Sequence, residues 1–334
     1  MVIIRMSGGL GNQMFQYALY MKLRSQGKEV LFDDINEYRH DNARPIMLSI
    51  FGIAYPRATW DQIIQMTDGS LKISHRIRRK LRGRRSLEYH EQGFYYDENV
   101  IKKDPAYLSG TFQSEKYFKD VKEDVKMTYT FPSFEAMHLP EELLRKMTDY
   151  RYQIQESEAI SIHIRRGDYL FAEEVYGDIC TDAYYVGAIR DMLEHYPDAT
   201  FFVFSNDTKW VTRWLDVHAV LFTDSSLPFD IPEEGEEEIP AISDYNKAVL
   251  LRRFVVVEET TEYTGYLDMA LMSMCNHNII ANSSFSWWAA WMNQNPDKRV
   301  IAPSCWLNGC DSSDVYTRYM TRIDKNGKEV NTLL

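Results

Sequence analysis

The stretch Ala159-Ile160-Ser161-Ile162-His163-Ile164-Arg165-Arg166-Gly167-Asp168-Tyr169 alternates apolar residues at 160, 162 and 164 with polar ones, then ends in two arginines, a glycine and an aspartate. That pattern predicts a strand that delivers charge to its carboxyl end. In open α/β sheets ligands sit outside the carboxyl ends of the strands, so arginines placed there face a ligand more readily than a core. The guanidinium fork suits phosphate oxygens, and each charge-assisted hydrogen bond contributes about 1.5 to 3 kcal/mol. The same residues also allow a plain structural ion pair among Arg165, Arg166 and Asp168.

The segments that follow repeat the pattern of a strand ending in polar groups. A helix is predicted from Asp182 to His195, closed by Pro197, and then a strand from Thr200 to Phe204 that ends at Ser205-Asn206-Asp207. Tyr263 to Cys275 has helical apolar spacing, His277 to Ala281 forms a short strand, and Asn282-Ser283-Ser284-Phe285-Ser286 opens another helix. Arg299 to Ala302 is expected to be the last strand, with a mobile tail from Asp324, and Glu233 to Glu238 a solvated acidic loop. A phosphate held between the arginines and a serine-rich helix start is a coherent site, because the helix end contributes roughly 0.3 to 1 kcal/mol toward an anion. Taken singly, Ser283, Ser284 and Ser286 are equally suited to capping, as are Ser205 to Asp207, and Asp268 could accept a local backbone bond.

In the first half, Val2 to Met6 is a strand, Ser7 to Gln13 a glycine loop, Met14 to Gln26 a helix and Glu29 to Phe32 a second strand ending at Asp33-Asp34. This resembles a dinucleotide-binding turn, but the third glycine of G-x-G-x-x-G falls on Met14 and no P-loop lysine follows. Asn12 and Gln13 stand there instead, two amides able to bond a sugar or phosphate at a helix start. Asn36 to Thr67 is irregular. Residues 75 to 85 hold seven Lys and Arg side chains, either a solvated helix face or an anchor for anionic lipid headgroups. Tyr107 to Phe118 joins a strand to a polar and aromatic turn, and a helix from Pro140 to Tyr150 precedes the join between halves.

With 334 residues there is room for two domains, and strands alternating with helices in both halves predict two α/β domains with largely parallel sheets. A net charge of −11 disfavours nucleic acid as a general partner. The apolar N-terminal run is too short for a signal peptide or span, so the chain is expected in the cytoplasm. Cys180, Cys275, Cys305 and Cys310 lack any C-x-x-C pairing and are expected to be reduced thiols. No D-x-D triplet occurs, so the positive charge at a diphosphate is expected from protein cations, with no metal.

Four ordered motifs carry a family resemblance: residues 8–18 (GGLGNQMFQYA), 163–168 (HIRRGD), 204–207 (FSND) and 277–291 (HNIIANSSFSWWAAW). Together they resemble the bacterial α-1,2-fucosyltransferases. The resemblance implies a GT-B type fold of two Rossmann-like domains facing each other across a cleft, with residues 1–155 on the acceptor side, 156–312 binding GDP-fucose and 313–334 a tail. It further implies GDP-fucose as donor, inversion at the fucose carbon, no metal or other cofactor, and a galactose-like acceptor that receives fucose on its 2-hydroxyl. Arg165 then resembles the pyrophosphate arginine and Arg166 its supporting neighbour, with His163 beside them. Asn12, next to Gly11, resembles an amide reaching the donor from the first domain. Asn282 to Ser286, with Ser283, Ser284 and Phe285, resembles the phosphate-holding turn, Ser205, Asn206 and Asp207 offer ribose or base contacts, and Asp268 resembles a guanine-contacting acid.

The catalytic base stays open between two acids. Asp168 follows two guanidinium groups, which should depress its pKa and make it an ion-pair partner, whereas Glu115 is expected in a less cationic neighbourhood. Rival readings are a transferase of another sugar nucleotide, another acceptor position or protein, and a non-catalytic nucleotide-sugar binding protein. A lipid-borne acceptor would explain the basic stretch at 75–85 by contact with an anionic membrane.

Overall fold

The computed structural model describes residues 1–38, 44–166, 172–223 and 244–330. The chain divides into two compact units, Met1–Phe131 with Asp311–Tyr316, and Pro132–Cys310 with Thr317–Leu334. The first runs β1 (Val2–Arg5), α1 (Leu10–Ser25), β2 (Val30–Asp33), α2 (Trp60–Thr67), α3 (Ile73–Arg82), β3 (Glu88–His90), α4 (Glu98–Lys102), β4 (Ala106–Ser109) and α5 (Lys122–Thr128). Its strands pair in parallel in the order β2-β1-β4-β3. Val2, Ile3 and Ile4 are fully buried, as a parallel strand covered on both faces requires.

The second unit runs α6 (Glu141–Gln155), β5 (Ala159–Ile164), α7 (Glu173–Tyr176), α8 (Asp182–His195), β6 (Thr200–Ser205), α9 (Thr208–Thr223) and α10 (Asp244–Leu251). It continues with β7 (Phe254–Val256), α11 (Tyr266–Met274), β8 (His277–Ile279), α12 (Ser284–Met292), β9 (Val300–Pro303) and β10 (Met320–Ile323). The sheet order is β10-β9-β8-β5-β6-β7, parallel throughout. Ile160, Ile162 and Ile164 enter one core with Tyr184, Ile189 and Val203, each burial contributing about 1.5 to 3 kcal/mol. Ser161 and His163 face the opposite side, where Asn278 Nδ2 donates to Ser161 Oγ at 2.7 Å and the Phe285 ring lies 5.6 Å from His163. The chain leaves β5 toward β6 on one side and returns to β8 on the other, so the order reverses between β5 and β8, where such sheets hold ligands.

Several expectations need correction. The boundary between units falls at 131/132 and not near 155, because α6 packs against α11 of the second sheet. The predicted tail contains a strand: Met320 to Ile323 pairs with Val300 to Pro303, so Arg299 to Ala302 does not mark the last strand. From Asp324 the chain turns onto α8, with Thr181 Oγ1 donating to Lys325 O at 2.5 Å. The acidic stretch 233–238 lies outside the described residues. All four cysteines are free thiols, and among the described residues no helix is long and apolar enough to cross a membrane.

Gly187 shows how tightly that terminal turn is seated. A Cβ there would stand 2.7 Å from Gly327 Cα and 2.8 Å from Gly327 C, so backbone would have to move. Gly187→Ala is expected to lower the unfolding free energy by about 1 to 3 kcal/mol in urea titration. An unchanged midpoint would show that this contact yields freely.

Candidate functional site

At the carboxyl edge of the second sheet the two arginines part company. Arg166 turns toward α9: its guanidinium carbon lies 3.8 Å from the Trp210 ring centroid and its Nε 3.8 Å from Asp207 Oδ2. Its backbone N–H donates to Asn206 Oδ1 at 3.0 Å. Stacking of this kind contributes about 0.5 to 2 kcal/mol and fixes the side chain sideways. Ser205 Oγ accepts from Asp207 N at 3.1 Å and Asp207 Oδ1 from Trp210 N at 3.1 Å, so Ser205 to Asp207 cap α9 while they orient Arg166.

Arg165 follows His163 at the two-residue spacing that keeps a strand's side chains on one face. Burial pushes His163 down to about 3, and the Arg165 charge adds to the effect, so the imidazole is neutral across the physiological range. His163 Nδ1 is buried and meets no hydrogen-bond partner among the described residues. The Tyr185 hydroxyl donates to His163 O at 3.1 Å and anchors the strand end. Asp168 lies outside the described residues.

Across the switch point stands the start of α12. Ser283 caps it, its Oγ accepting from Phe285 N at 3.4 Å. Ser284 and Phe285 are half-buried, so the first turn of the helix reaches the surface. Ser286 is fully buried and donates to Ala281 O at 3.4 Å, which makes its hydroxyl structural. Asn282 is also engaged within the protein: its Oδ1 accepts from Cys180 Sγ at 3.4 Å and its Nδ2 donates to Trp306 O at 3.2 Å. Thus His163, Arg165, Arg166, Ser205 to Asp207 and Asn282 to Ser286 share one sheet edge, while several of them serve the scaffold there.

Asp268 sits in the first turn of α11, the helix that enters from the carboxyl end of β7. Thr260 Oγ1 donates to its Oδ2 at 2.9 Å, whereas Oδ1 is buried without a partner among the described residues.

Gly11, Asn12 and Glu115 belong to the first unit, as does the glycine loop after β1. Gln13 is turned inward, its Nε2 donating to Gly8 O and Pro45 O at 2.9 Å each, so it braces the loop and does not face a ligand. Gln16 likewise donates to Gly110 O at 2.9 Å. Asn12 is half-buried, and its Oδ1 accepts from Gln113 Nε2 at 3.1 Å. Gly8, at φ +72°, has no room for a Cβ against the Asn12 side chain. The Glu115 carboxylate is paired with Lys122.

Two features escaped the sequence reading. Glu91, just past β3, accepts from Thr111 N at 2.7 Å and from Phe112 N at 3.0 Å, holding Phe112 at φ +53°. Burial raises its pKa against those hydrogen bonds. It fixes the turn that brings Gln113 to Asn12. Second, a cavity of about 340 Å³ opens under α2, lined by Arg5, Asn36, Trp60, Ile63, Ile64, Thr67, Gly69, Arg84, Glu88, His90 and Tyr107. Arg5 pairs with Glu37 at 2.9 Å through Nη2, while its Nε is buried without a partner among the described residues.

The family model of Glycosyl transferase family 11 matches residues 88–227 and 252–313. The chain is 31% identical over 330 residues to the O-antigen biosynthesis glycosyltransferase WbnK of Escherichia coli, covering 92% of this chain and 95% of that protein. It is 28% identical over 335 residues to an alpha-1,2-colitosyltransferase of Escherichia coli, covering 97% and 99%. It is also 24% identical over 296 residues to galactoside alpha-(1,2)-fucosyltransferase 1 of Saimiri boliviensis boliviensis, covering 85% of this chain and 63% of that protein.

Asp268 makes the second unit sensitive to pH. Burial pushes its carboxyl from 3.8 up to about 7, partly offset by the Thr260 hydroxyl. Between those values the folded chain holds a proton that the unfolded chain has lost, so stability falls as pH rises, by up to about 1.4 kcal/mol per pH unit. Asp268→Asn removes this slope. Urea titrations at about pH 5 and about pH 8 should show the variant gaining on the parent protein at the higher pH; a pH-independent difference would mean Asp268 is ionised throughout.

Proposed function

The chain belongs to glycosyl transferase family 11, and from that premise we propose that this glycosyltransferase moves L-fucose from GDP-β-L-fucose to the 2-hydroxyl of a galactose-like residue in an oligosaccharide or surface polysaccharide. The observation that supports the proposal is the switch point between β5 and β8, where β5 ends just before Arg165 and the Phe285 ring at the start of α12 lies 5.6 Å from His163. In the transfer, the acceptor oxygen attacks the fucose carbon as its bond to the β-phosphate oxygen breaks, and the electron pair leaves with GDP. Attack from the face opposite the leaving group turns a β-linked donor into an α product. Charge grows on the diphosphate, where an arginine and helix N–H groups stabilise the transition state more than the ground state, with no metal in the step. Arg166, held against Trp210 and Asp207, keeps a second positive charge at the same edge.

The remaining assignments follow the chemistry of each group. The unpartnered Asp268 Oδ1 suits the paired N–H donors on the guanine edge. Asn12 and Gln113 offer amides for a sugar at the first unit's own switch point, between β1 and β4. The cavity under α2 joins an indole face to a guanidinium, an imidazole and an amide, a set that suits a sugar ring, and we assign the acceptor to it. The acceptor proton is left to Asp168, to Glu115, which is paired with Lys122, or to solvent. An acceptor carried on lipid would bring residues 75–85 to an anionic membrane face.

A second reading has one observation behind it: the relative that is 28% identical over nearly the whole chain is an alpha-1,2-colitosyltransferase, which favours a donor sugar other than fucose. GDP release from a panel of sugar nucleotides and galactosides, followed by linkage analysis, separates the two. Nucleotide binding without release in any pairing would leave only a binding protein.

Arg165→Ala is expected to fold and to lose about 100 to 1000-fold in turnover, with the parent activity unchanged by a chelator. Normal turnover in the variant, or abolition by chelation, refutes the assignment. Trp60, 41% exposed at the cavity, gives the acceptor test: Trp60→Ala should raise KM for the acceptor roughly tenfold while KM for the donor stays put. Equal KM values in both proteins would place the acceptor elsewhere.

A further inference from the structure

Helix α3 is amphipathic, and it is mounted the wrong way round for a soluble protein. Ile73, Ile77 and Leu81 recur every fourth residue and so share one face. They are 74%, 55% and 77% exposed, with Leu71 just ahead of them at 85%. No residue of α3 is buried. An ordinary surface helix turns such a stripe inward.

What ties this helix down is its basic side. The Arg78 guanidinium is bonded to the Asp68 carboxylate, and Arg79 donates to Asp68 O at 2.8 Å and Ser70 O at 2.7 Å. Beyond the helix, Arg85 N donates to Asp68 Oδ2 at 2.9 Å and Arg84 to Thr67 O at 2.9 Å. Asp68, in left-handed conformation after α2, therefore grips both the helix and the chain that leaves it. Arg76 and Lys80 lie beside the apolar stripe on the outward side, both exposed, with Arg82 exposed at the helix end. Of the seven basic residues, Arg78, Arg79 and Arg84 tether through their side chains and Arg85 through its backbone N–H, Arg76 and Lys80 flank the apolar stripe, and Arg82 follows Arg78 and Arg79 on the tether side at the helix end.

We propose that α3 is a membrane-surface helix, with Leu71, Ile73, Ile77 and Leu81 entering the acyl boundary of an anionic bilayer while Arg76 and Lys80 meet its headgroups. Two observations favour a lipid surface over a protein partner. The stripe is a ridge standing off the body, which a fluid interface accepts without a matching groove. Its cations stand on a chain of net charge −11, so attraction to an anionic surface is local to this helix and orients the protein on it. The proposal does not rest on which sugar is transferred.

Cosedimentation of the full chain with phosphatidylcholine vesicles, with and without phosphatidylglycerol, tests it. The parent protein should pellet with the anionic vesicles and be partly released by salt. Ile77→Glu combined with Leu81→Glu should weaken binding by about tenfold or more, and Arg76→Ser with Lys80→Ser should weaken it on anionic vesicles alone. Both variants should release GDP at the parent rate with a soluble acceptor. A parent protein indifferent to anionic vesicles overturns the proposal, as does a doubly acidic variant that pellets equally well. A stripe variant that alters the protein's own mass in solution, with no vesicle binding by the parent, overturns it in favour of an interface between protein chains.

Discussion

A strand buried on both faces cannot keep a charge within its length, so the guanidinium groups after β5 must be accommodated where the sheet ends. The second unit is built around that constraint. Arg166 is taken up by the Trp210 ring and the Asp207 carboxylate, both supplied by the turn and helix after the neighbouring strand. Arg165 leaves its charge near His163, whose imidazole burial keeps neutral, with the Arg165 charge adding to the effect. Two adjacent cations thus meet different surroundings, Arg166 a ring and a carboxylate, Arg165 a desolvated imidazole.

How much of this could be read from the chain depends on where the information lies. The alternation of Ile160, Ile162 and Ile164 is local, and β5 came out as a strand of the expected length. The glycine loop was harder: Gly8 and Gly9 suggest a loop through Gln13, yet Asn12 N and Gln13 N both donate to Gly9 O, so α1 already starts at Leu10. A readable signal for α2 was passed over, since Thr59 and Gln62 form a capping box at its start. By contrast, nothing in the short strands Glu88–His90, Phe254–Val256 and Met320–Ile323 announces them, because their order comes from neighbours remote in the chain. The boundary at 131 has the same origin in the packing of α6 on α11.

Residue type alone also misjudged what each polar group faces. Asn12, Gln13 and Gln16 are chemically alike, but a tight glycine turn leaves backbone carbonyls that need donors, and Gln13 and Gln16 supply them. Only Asn12 keeps its amide near the surface, braced by Gln113. In the serine-rich turn Ser286 and Asn282 likewise close the gap between strand and helix, while Ser284 and Phe285 reach the edge. Motif positions in such a turn therefore divide into those that shape the turn and those it presents.

Buried polar atoms without partners show where the fold tolerates expense. Each such group costs about 1 to 3 kcal/mol, so a folded chain keeps few of them. Among the described residues, His163 Nδ1 at the end of β5 and Asp268 Oδ1 in the helix that begins after β7 lack a hydrogen bond, as do Arg78 Nη1 in α3 and His218 Nε2 in α9. Another, Arg5 Nε, belongs to a side chain that lines the cavity under α2. Packing could have removed each of them by a change to an apolar residue of similar size. Those at the end of β5, in the first turn of α11 and at the cavity wall lie where the proposed site would use them, whereas Arg78 Nη1 and His218 Nε2 sit within helices and answer to packing alone.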